Sequence, residues 1–164
     1  MSDQPQTRSA LVEFLRGSGP DHQGRKIQDI LAFDDRHIEQ HHDYIQWLFP
    51  LPIPSMAVPG SPVLTPTDIA VIRSDTAIQS ALADARARLS AFFQATTHWL
   101  VFHDHNHLRI TRIIASTGLL TGKAAAQMFF DDICRRVEET GNLVSPTSQR
   151  YWKDALAAID EGIS

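Results

Sequence analysis

The stretch AIQSALADARARLSAFFQATTHWL (77–100) places its apolar residues three and four positions apart. This spacing puts them on one face of an α-helix, because the helix repeats about every 3.6 residues. The members of that face are Ile78, Leu82, Ala85, Leu89, Phe92, Phe93, Thr96 and Leu100. The pattern predicts a helix of about seven turns, with a break before it near Ser74–Asp75.

The rest of the chain also carries helical signals, and no segment alternates apolar and polar residues in the manner of a strand. Its 164 residues, 43% hydrophobic and 21% charged, are typical of a single soluble domain. We therefore expect one all-α domain over residues 1–164, a bundle of six or seven helices. The other predicted helices run from Thr7 or Ser9 to Arg16, from Arg25 to Phe33, from Asp34 to Phe49, from Asn106 to Gly118, from Thr121 to Gly141, and onward from Ser145. The segment from Pro66 to the break is counted with the long helix.

The longest uncharged stretch runs from Tyr44 to Thr67 and contains six prolines. It is long enough to cross a bilayer, but each proline removes a backbone donor and breaks the helix that a membrane requires. We therefore expect no transmembrane segment, and an ordered non-helical loop at about 50–66 that packs on the helices. Its apolar residues are predicted to be covered, because an exposed patch invites association; they are Leu51, Ile53, Met56 and Val58.

Two features of the composition bear on location and partners. The chain has one cysteine, Cys134, and its first residues show no apolar secretory segment. An internal disulfide is excluded, and we expect a cytoplasmic protein. Five basic residues against one acidic residue between Arg86 and Lys123 make only a modest positive field, so there is no strong nucleic-acid signal.

Histidines concentrate in two places, HIEQHHDY (37–44) and HDHNH (103–107). On a continuous helix, His41 and His42 share the apolar face with Ile38 and Ile45, which is costly unless their polar atoms are hydrogen-bonded. One interpretation is a pair of satisfied core histidines, and the alternative is a metal or proton-transfer site. The metal alternative uses Glu39, His42, His103, His105 and His107. Because that ligand set is incomplete, we expect no tightly bound metal and no cofactor.

Sequence motifs for nucleophilic or nucleotide chemistry are missing. There is no Gly-x-Ser-x-Gly elbow, no phosphate-binding loop and no dinucleotide fingerprint. Cys134 lies among Phe129, Phe130 and Ile133 and is predicted to be a core thiol. No catalytic residue is therefore predicted.

Three blocks resemble one known family. HHDYIQWLFPLPIPS (41–55), PDHQGRKIQDIL (20–31) and HNHLRITRII (105–114) are similar to the conserved domain of the opioid growth factor receptor, in the same order, and the likeness covers most of residues 10–122. The chain looks like a small, single-domain member of the microbial type. The resemblance implies a receptor for enkephalin-type peptides, with nuclear or membrane-associated location in the vertebrate members, and it supplies no catalytic residues.

The family blocks define the candidate ligand site, and three functions compete for it. The candidate residues are Glu39, His42, Asp43, Tyr44, Gln46, Trp47, Asn106, Arg109 and Arg112. Arg109 and Arg112 lie on one helix face, where Asp43 or Glu39 can pair with them, or where they can form an aromatic–arginine groove. The leading hypothesis is a non-enzymatic domain that binds a peptide or small ligand between segments 41–55 and 103–112. The alternatives are a metal-dependent hydrolase or oxidoreductase, and a purely structural helical interaction module.

Trp47 is predicted to be an internal anchor rather than the wall of a groove. On a continuous helix it lies opposite Ile38, away from the main apolar face. It is therefore expected to pack against the proline-rich loop or against the Arg109–Arg112 face, where a cation–π contact is possible.

Overall fold

A computed structural model describes residues 9–160 of the chain, and within that range the protein is all-helical, as predicted. The described part holds nine helices and no strand. Their bounds are α1 Ala10–Arg16, α2 Ile27–Leu31, α3 Asp35–Gln40, α4 Ile45–Leu48, α5 Pro66–Ser74, α6 Thr76–Ala95, α7 Asn106–Leu120, α8 Lys123–Glu139 and α9 Pro146–Ala157. None of these helices is long and apolar enough to cross a membrane.

Side-chain caps set the starts of several helices. Ser9 accepts a hydrogen bond from the backbone N–H of Val12 and caps α1, whereas the alternative cap Thr7 lies outside the described residues. Thr65 caps α5 with Pro66 in the first turn, and Asp75 caps α6. The predicted break at Ser74–Asp75 is therefore confirmed, because a capping residue keeps an extended backbone.

The buried apolar side chains form one core around α6 and α7. α7 packs against α8, α9 and α5, while α1 packs against α4, α5 and α6. Trp99, which precedes α7 in the chain, and Trp152, which lies in α9, are fully buried. The indole N–H of Trp99 donates to the Phe93 carbonyl at 3.1 Å, and that of Trp152 donates to the His107 carbonyl at 3.0 Å.

The predicted helix from Asp34 to Phe49 is wrong, because the chain leaves the helix at His41–Asp43 and restarts as α4. The Ile38 carbonyl, which would accept the next helical hydrogen bond, accepts instead from the Tyr44 hydroxyl at 2.7 Å and from Arg109 Nη1 at 2.9 Å. The predicted face shared by Ile38, His41, His42 and Ile45 therefore does not exist as one helical stripe.

Two predicted helix ends are also shifted. α6 ends at Ala95 and not at Leu100, since Thr96 has an extended backbone there. α7 continues through Gly118 to Leu120. Gly118 is a packing position, because a Cβ atom there would overlap the side chain of Ile159, and only glycine permits this close approach.

The proline-rich segment 50–66 is a non-helical loop up to Thr65, as predicted. It folds back on itself, and the Leu64 N–H donates to the Leu51 carbonyl at 3.0 Å. Leu64 is buried and fastens the returning chain to the core. The prediction that every apolar loop residue is covered is wrong, because Ile53 is 62% and Met56 95% exposed.

Candidate functional site

The family blocks at 41–55 and 105–114 meet at the side chain of Arg109. Its Nη2 atom donates to the His41 carbonyl at 2.6 Å and approaches His42 Nδ1 at 3.1 Å. One turn further along α7, Arg112 Nε donates to the Phe49 carbonyl at 2.8 Å. The planar guanidinium of arginine suits such multiple contacts. Segments 41–55 and 103–112 are thus joined, as the sequence predicted, but arginine fills the space between them.

Most of the predicted ligand-binding side chains are buried. Tyr44 and Asn106 are fully buried, and Gln46, Trp47 and Arg109 are at most 8% exposed. Arg109 lies over the Tyr44 ring at 5.6 Å from its centroid. Burial raises the pKa of Tyr44 to about 12, so its hydroxyl remains a donor to Ile38. These five residues therefore build the scaffold and are shielded from a ligand.

Trp47 is internal, as predicted, but its ring partners differ from the prediction. Its indole packs edge-on against Phe14, with 5.2 Å between ring centroids, and stacks on His22 at 6.0 Å. Its Nε1 donates to His22 Nδ1 at 3.0 Å. The predicted cation–π contact on the Arg109–Arg112 face is made instead by Tyr44 with Arg109. Trp47 anchors the 20–31 block to the 41–55 block.

The predicted pairing of Asp43 or Glu39 with Arg109 or Arg112 is wrong. Asp43 pairs with Arg25 and with His22, each at 3.1 Å. Burial alone raises the pKa of Asp43, but the hydrogen bond and charge of Arg25, with those of His22, lower it below its usual range. Arg25 is also held at 2.7 Å by the buried carboxylate of Asp21. The sequence analysis missed these partners because they come from the turn before α2.

Glu39 lies at the centre of a second polar group, here called the Glu39 cluster: Glu39, His98, His105 and Asn106. Its Oε2 is 2.8 Å from His98 Nε2 and 2.9 Å from Asn106 Nδ2, and its Oε1 is 2.7 Å from His105 Nε2. Burial raises the pKa of Glu39, but the hydrogen bonds of Asn106 and His98 and the charges of His105 and His98 lower it overall. Sequence reasoning missed His98 because it follows α6 at no motif spacing.

His42 lies at the edge of the Glu39 cluster and remains neutral. Its ring meets that of His105 edge-on, with 5.3 Å between centroids. Burial and the neighbouring charges of Arg109 and His105 lower the pKa of His42, more than Glu39 and Asp43 raise it. Because arginine can only donate, the Nδ1 atom facing Arg109 must be an unprotonated acceptor.

The metal alternative is not assembled as predicted. Of the five predicted ligands, Glu39, His42 and His105 come together, whereas His103 is exposed beside Phe102. His107 points elsewhere and contacts Ser148 and the Trp99 carbonyl. Across residues 9–160, no three or more histidine, cysteine or acidic side chains are arranged to hold a metal ion.

The lowered pKa of Glu39 gives a testable acid dependence. A carboxylate whose folded pKa is depressed stabilises the fold above its unfolded pKa, about 4.3, and this contribution disappears as the pH falls through the lower folded value. Urea unfolding measured between about pH 3 and pH 7 should therefore show a smaller loss of stability on acidification for Glu39→Gln than for the parent protein. Glu139→Gln, at an exposed position of α8, should follow the parent. Parallel curves for parent and Glu39→Gln would refute the role of the Glu39 cluster.

An open groove of about 480 Å³ lies beside the Glu39 cluster, between the start of α7 and the first two turns of α9. We call it the α7–α9 groove, and its lining includes His103, Asp104, His105, His107, Leu108, Thr111, Ser145, Thr147, Ser148 and Tyr151. Leu108 is 69% and Tyr151 55% exposed. Exposed apolar side chains in a concave site beside a few polar groups are typical of a binding site. None of the nine predicted ligand-binding residues is in this lining. It contains three residues of the metal alternative, His103, His105 and His107, together with Leu108 and Thr111 from the block at 105–114.

Comparison with known proteins gives a family model and several curated relatives that match the chain. Residues 20–96 match the family model described as the opioid growth factor receptor conserved region. The chain is 34% identical over 118 residues to the opioid growth factor receptor of Rattus norvegicus, covering 59% of this chain and 20% of that protein. It is also 34% identical over 115 residues to the receptor of Homo sapiens, covering 57% of this chain and 17% of that protein. No solved structure matches the chain.

The match includes the 41–55 segment, which Arg109 and Trp47 contact or belong to. Residues 20–96 include the turn with Asp21 and Arg25, the broken helix α3–α4 and the proline-rich loop. The chain spans about a fifth of the length of the curated relatives it matches. Residues 20–96 of the chain therefore match the opioid growth factor receptor conserved region, the family that the sequence motifs indicated.

Proposed function

We propose that this domain binds short peptides with a free N-terminal ammonium group in the α7–α9 groove. The observation that carries the proposal is that exposed Leu108 and Tyr151 line the same groove as the carboxylate of Asp104. Apolar side chains that stay exposed in a groove offer surface for an aromatic or aliphatic side chain of a ligand. The relatives' name, opioid growth factor receptor, makes an enkephalin-type peptide the first ligand to test.

Asp104 supplies the negative charge that the ammonium group needs. Its Oδ1 accepts from the backbone N–H and the side-chain Nδ2 of Asn106, each at 2.9 Å. A carboxylate has about four acceptor positions, so Asp104 keeps capacity for a ligand while Asn106 fixes its direction. Asn106 is itself held by Glu39. The family-matched segment therefore positions the groove through the Glu39 cluster.

Calorimetry with an enkephalin pentapeptide tests this function. Leu108→Ala and Tyr151→Ala should each weaken binding about tenfold, as truncation of a central contact costs more than about 1 kcal/mol. Met128→Ala removes a side chain that is 70% exposed on α8 and should leave binding unchanged. The N-acetylated peptide, which lacks the ammonium charge, should bind at least tenfold more weakly. Equal binding of the acetylated peptide, or no heat from the parent protein at millimolar peptide, would reject the proposal.

A further inference from the structure

Ser148 and His107 form a hydrogen-bonded pair in the wall of the α7–α9 groove. Ser148 Oγ lies 3.0 Å from His107 Nδ1, and His107 Nε2 lies 2.8 Å from the carbonyl oxygen of Trp99. A carbonyl only accepts hydrogen bonds, so His107 carries its proton on Nε2 and presents an unprotonated Nδ1 to Ser148. The Ser148 hydroxyl is consequently the donor in the pair.

The network around the pair holds this direction. Ser145 Oγ accepts from the Ser148 backbone N–H at 3.1 Å and donates its own proton to Ser148 Oγ at 3.1 Å. His107 is 4% exposed and packs edge-on against Trp152, with 5.8 Å between ring centroids. Buried Ser145 and His107 are thus fixed, while Ser148 is partly exposed to the groove. A nucleophile, a base and a group that orients the base are the three parts of a serine acyl-transfer site.

We propose that the groove hydrolyses small carboxylic esters, with Ser148 as the nucleophile and His107 as the general base. Ser148 Oγ attacks the ester carbonyl carbon while its proton passes to His107 Nδ1, giving a tetrahedral intermediate. The bond between the carbonyl carbon and the alcohol oxygen then breaks, and His107 Nδ1 gives its proton to that oxygen. The alcohol leaves, and an acyl-Ser148 ester remains. A water molecule then attacks this ester with its proton taken by His107. The bond to Ser148 Oγ breaks, Oγ regains the proton, and the carboxylic acid leaves.

The surroundings of Ser148 suit this chemistry. The Trp99 carbonyl accepts a hydrogen bond from His107 Nε2–H throughout, which stabilises the imidazolium that forms in each step. The negative oxygen of the intermediate needs a backbone donor, and Thr147, which lies in the first turn of α9 where N–H groups have no helical partner, lines the groove beside Ser148. Leu108 and Tyr151 offer apolar surface for a short acyl chain.

Covalent labelling tests the proposal on the parent chain. Incubation with a fluorophosphonate and peptide mass mapping should place one label on Ser148, and p-nitrophenyl butyrate should give a burst of one p-nitrophenolate per chain. Ser148→Ala should lose the label and at least 90% of the burst. Ser80→Ala, at an exposed position of α6, should keep both. Labels scattered over other residues, or a burst that survives Ser148→Ala, would overturn the assignment.

The test separates hydrolysis from peptide binding, because binding needs no chemical step. Labelling of Ser148 in a parent protein that gives no heat with the enkephalin pentapeptide would reject peptide binding and support hydrolysis. His107→Gln, which retains a donor toward the Trp99 carbonyl, should lose labelling at Ser148 because the amide is not a base. Undiminished labelling in a folded His107→Gln protein would remove His107 from the mechanism and contradict the proposal.

Discussion

Replacement of Trp47 with alanine should lower the free energy of unfolding by about 3–5 kcal/mol. The indole is 8% exposed and packs on Phe14 and His22, so its removal leaves a cavity between α1, α4 and the turn at 20–25. That loss is comparable with the total stability of a marginal domain. Urea unfolding monitored by circular dichroism gives the measurement.

A second substitution separates the ring from its hydrogen bond. Trp47→Phe keeps an aromatic ring against Phe14 but loses the donor to His22 Nδ1, so it should cost less than the alanine variant. Met128→Ala, at an exposed position, should stay within about 0.5 kcal/mol of the parent. A Trp47→Ala protein with unchanged unfolding midpoint and unchanged circular dichroism would show that Trp47 is not an anchor.

Replacement of Arg109 with methionine should cost about 1–3 kcal/mol, because it removes the donor of the His41 carbonyl and one of the two donors of the Ile38 carbonyl. The His41 carbonyl loses its bond to Nη2, whereas the Ile38 carbonyl loses its bond to Nη1 but keeps the one from the Tyr44 hydroxyl. An acceptor left unsatisfied away from water costs about 1–3 kcal/mol. Arg109→Lys should not restore the stability, since an ammonium group cannot reproduce the planar fork that serves both carbonyls. Unfolding by urea and amide hydrogen exchange at residues 38–44 report the loss.

Arg135 provides the matched control for Arg109. It is an exposed arginine that pairs with Asp132 at 3.2 Å on the surface of α8. Surface ion pairs contribute about 0–1 kcal/mol, so Arg135→Met should be nearly neutral. Equal effects of Arg109→Met and Arg135→Met would mean that the break between α3 and α4 does not depend on Arg109.

The helices follow from local pattern, and the interruption at His41–Asp43 does not. The spacing of Ile78, Leu82 and Leu89 and the caps at Thr65 and Asp75 are visible within a few residues of sequence. At the interruption, the Ile38 carbonyl accepts hydrogen bonds from the Tyr44 hydroxyl and from Arg109, which is 71 residues away. Periodicity reports local order and is blind to such a long-range donor. For the same reason, periodicity did not predict that Gly118 is a packing position inside α7, where it contacts Ile159.

The candidate site was predictable as a meeting of segments but not as a surface. The resemblance of blocks 41–55 and 105–114 pointed to their association, which Arg109 and Arg112 make. Burial separates the residues of these blocks differently from the prediction. The predicted ligand contacts Tyr44, Gln46 and Trp47 face the core, whereas Leu108 faces solvent. Ser148 and His107 are 41 residues apart, and no local motif links a nucleophile to its base across that distance. Only the packing of α9 on α7 brings them together.

The most direct test of peptide binding in the α7–α9 groove is a heteronuclear NMR titration of the labelled protein with the enkephalin pentapeptide. Binding in the groove predicts saturable chemical-shift changes of the backbone amides of Asp104, Leu108, Thr111 and Tyr151. The amides of the buried residues Tyr44, Gln46 and Trp47 should change little. Saturable shifts centred on residues 44–47, or spectra unchanged at millimolar peptide, would contradict it.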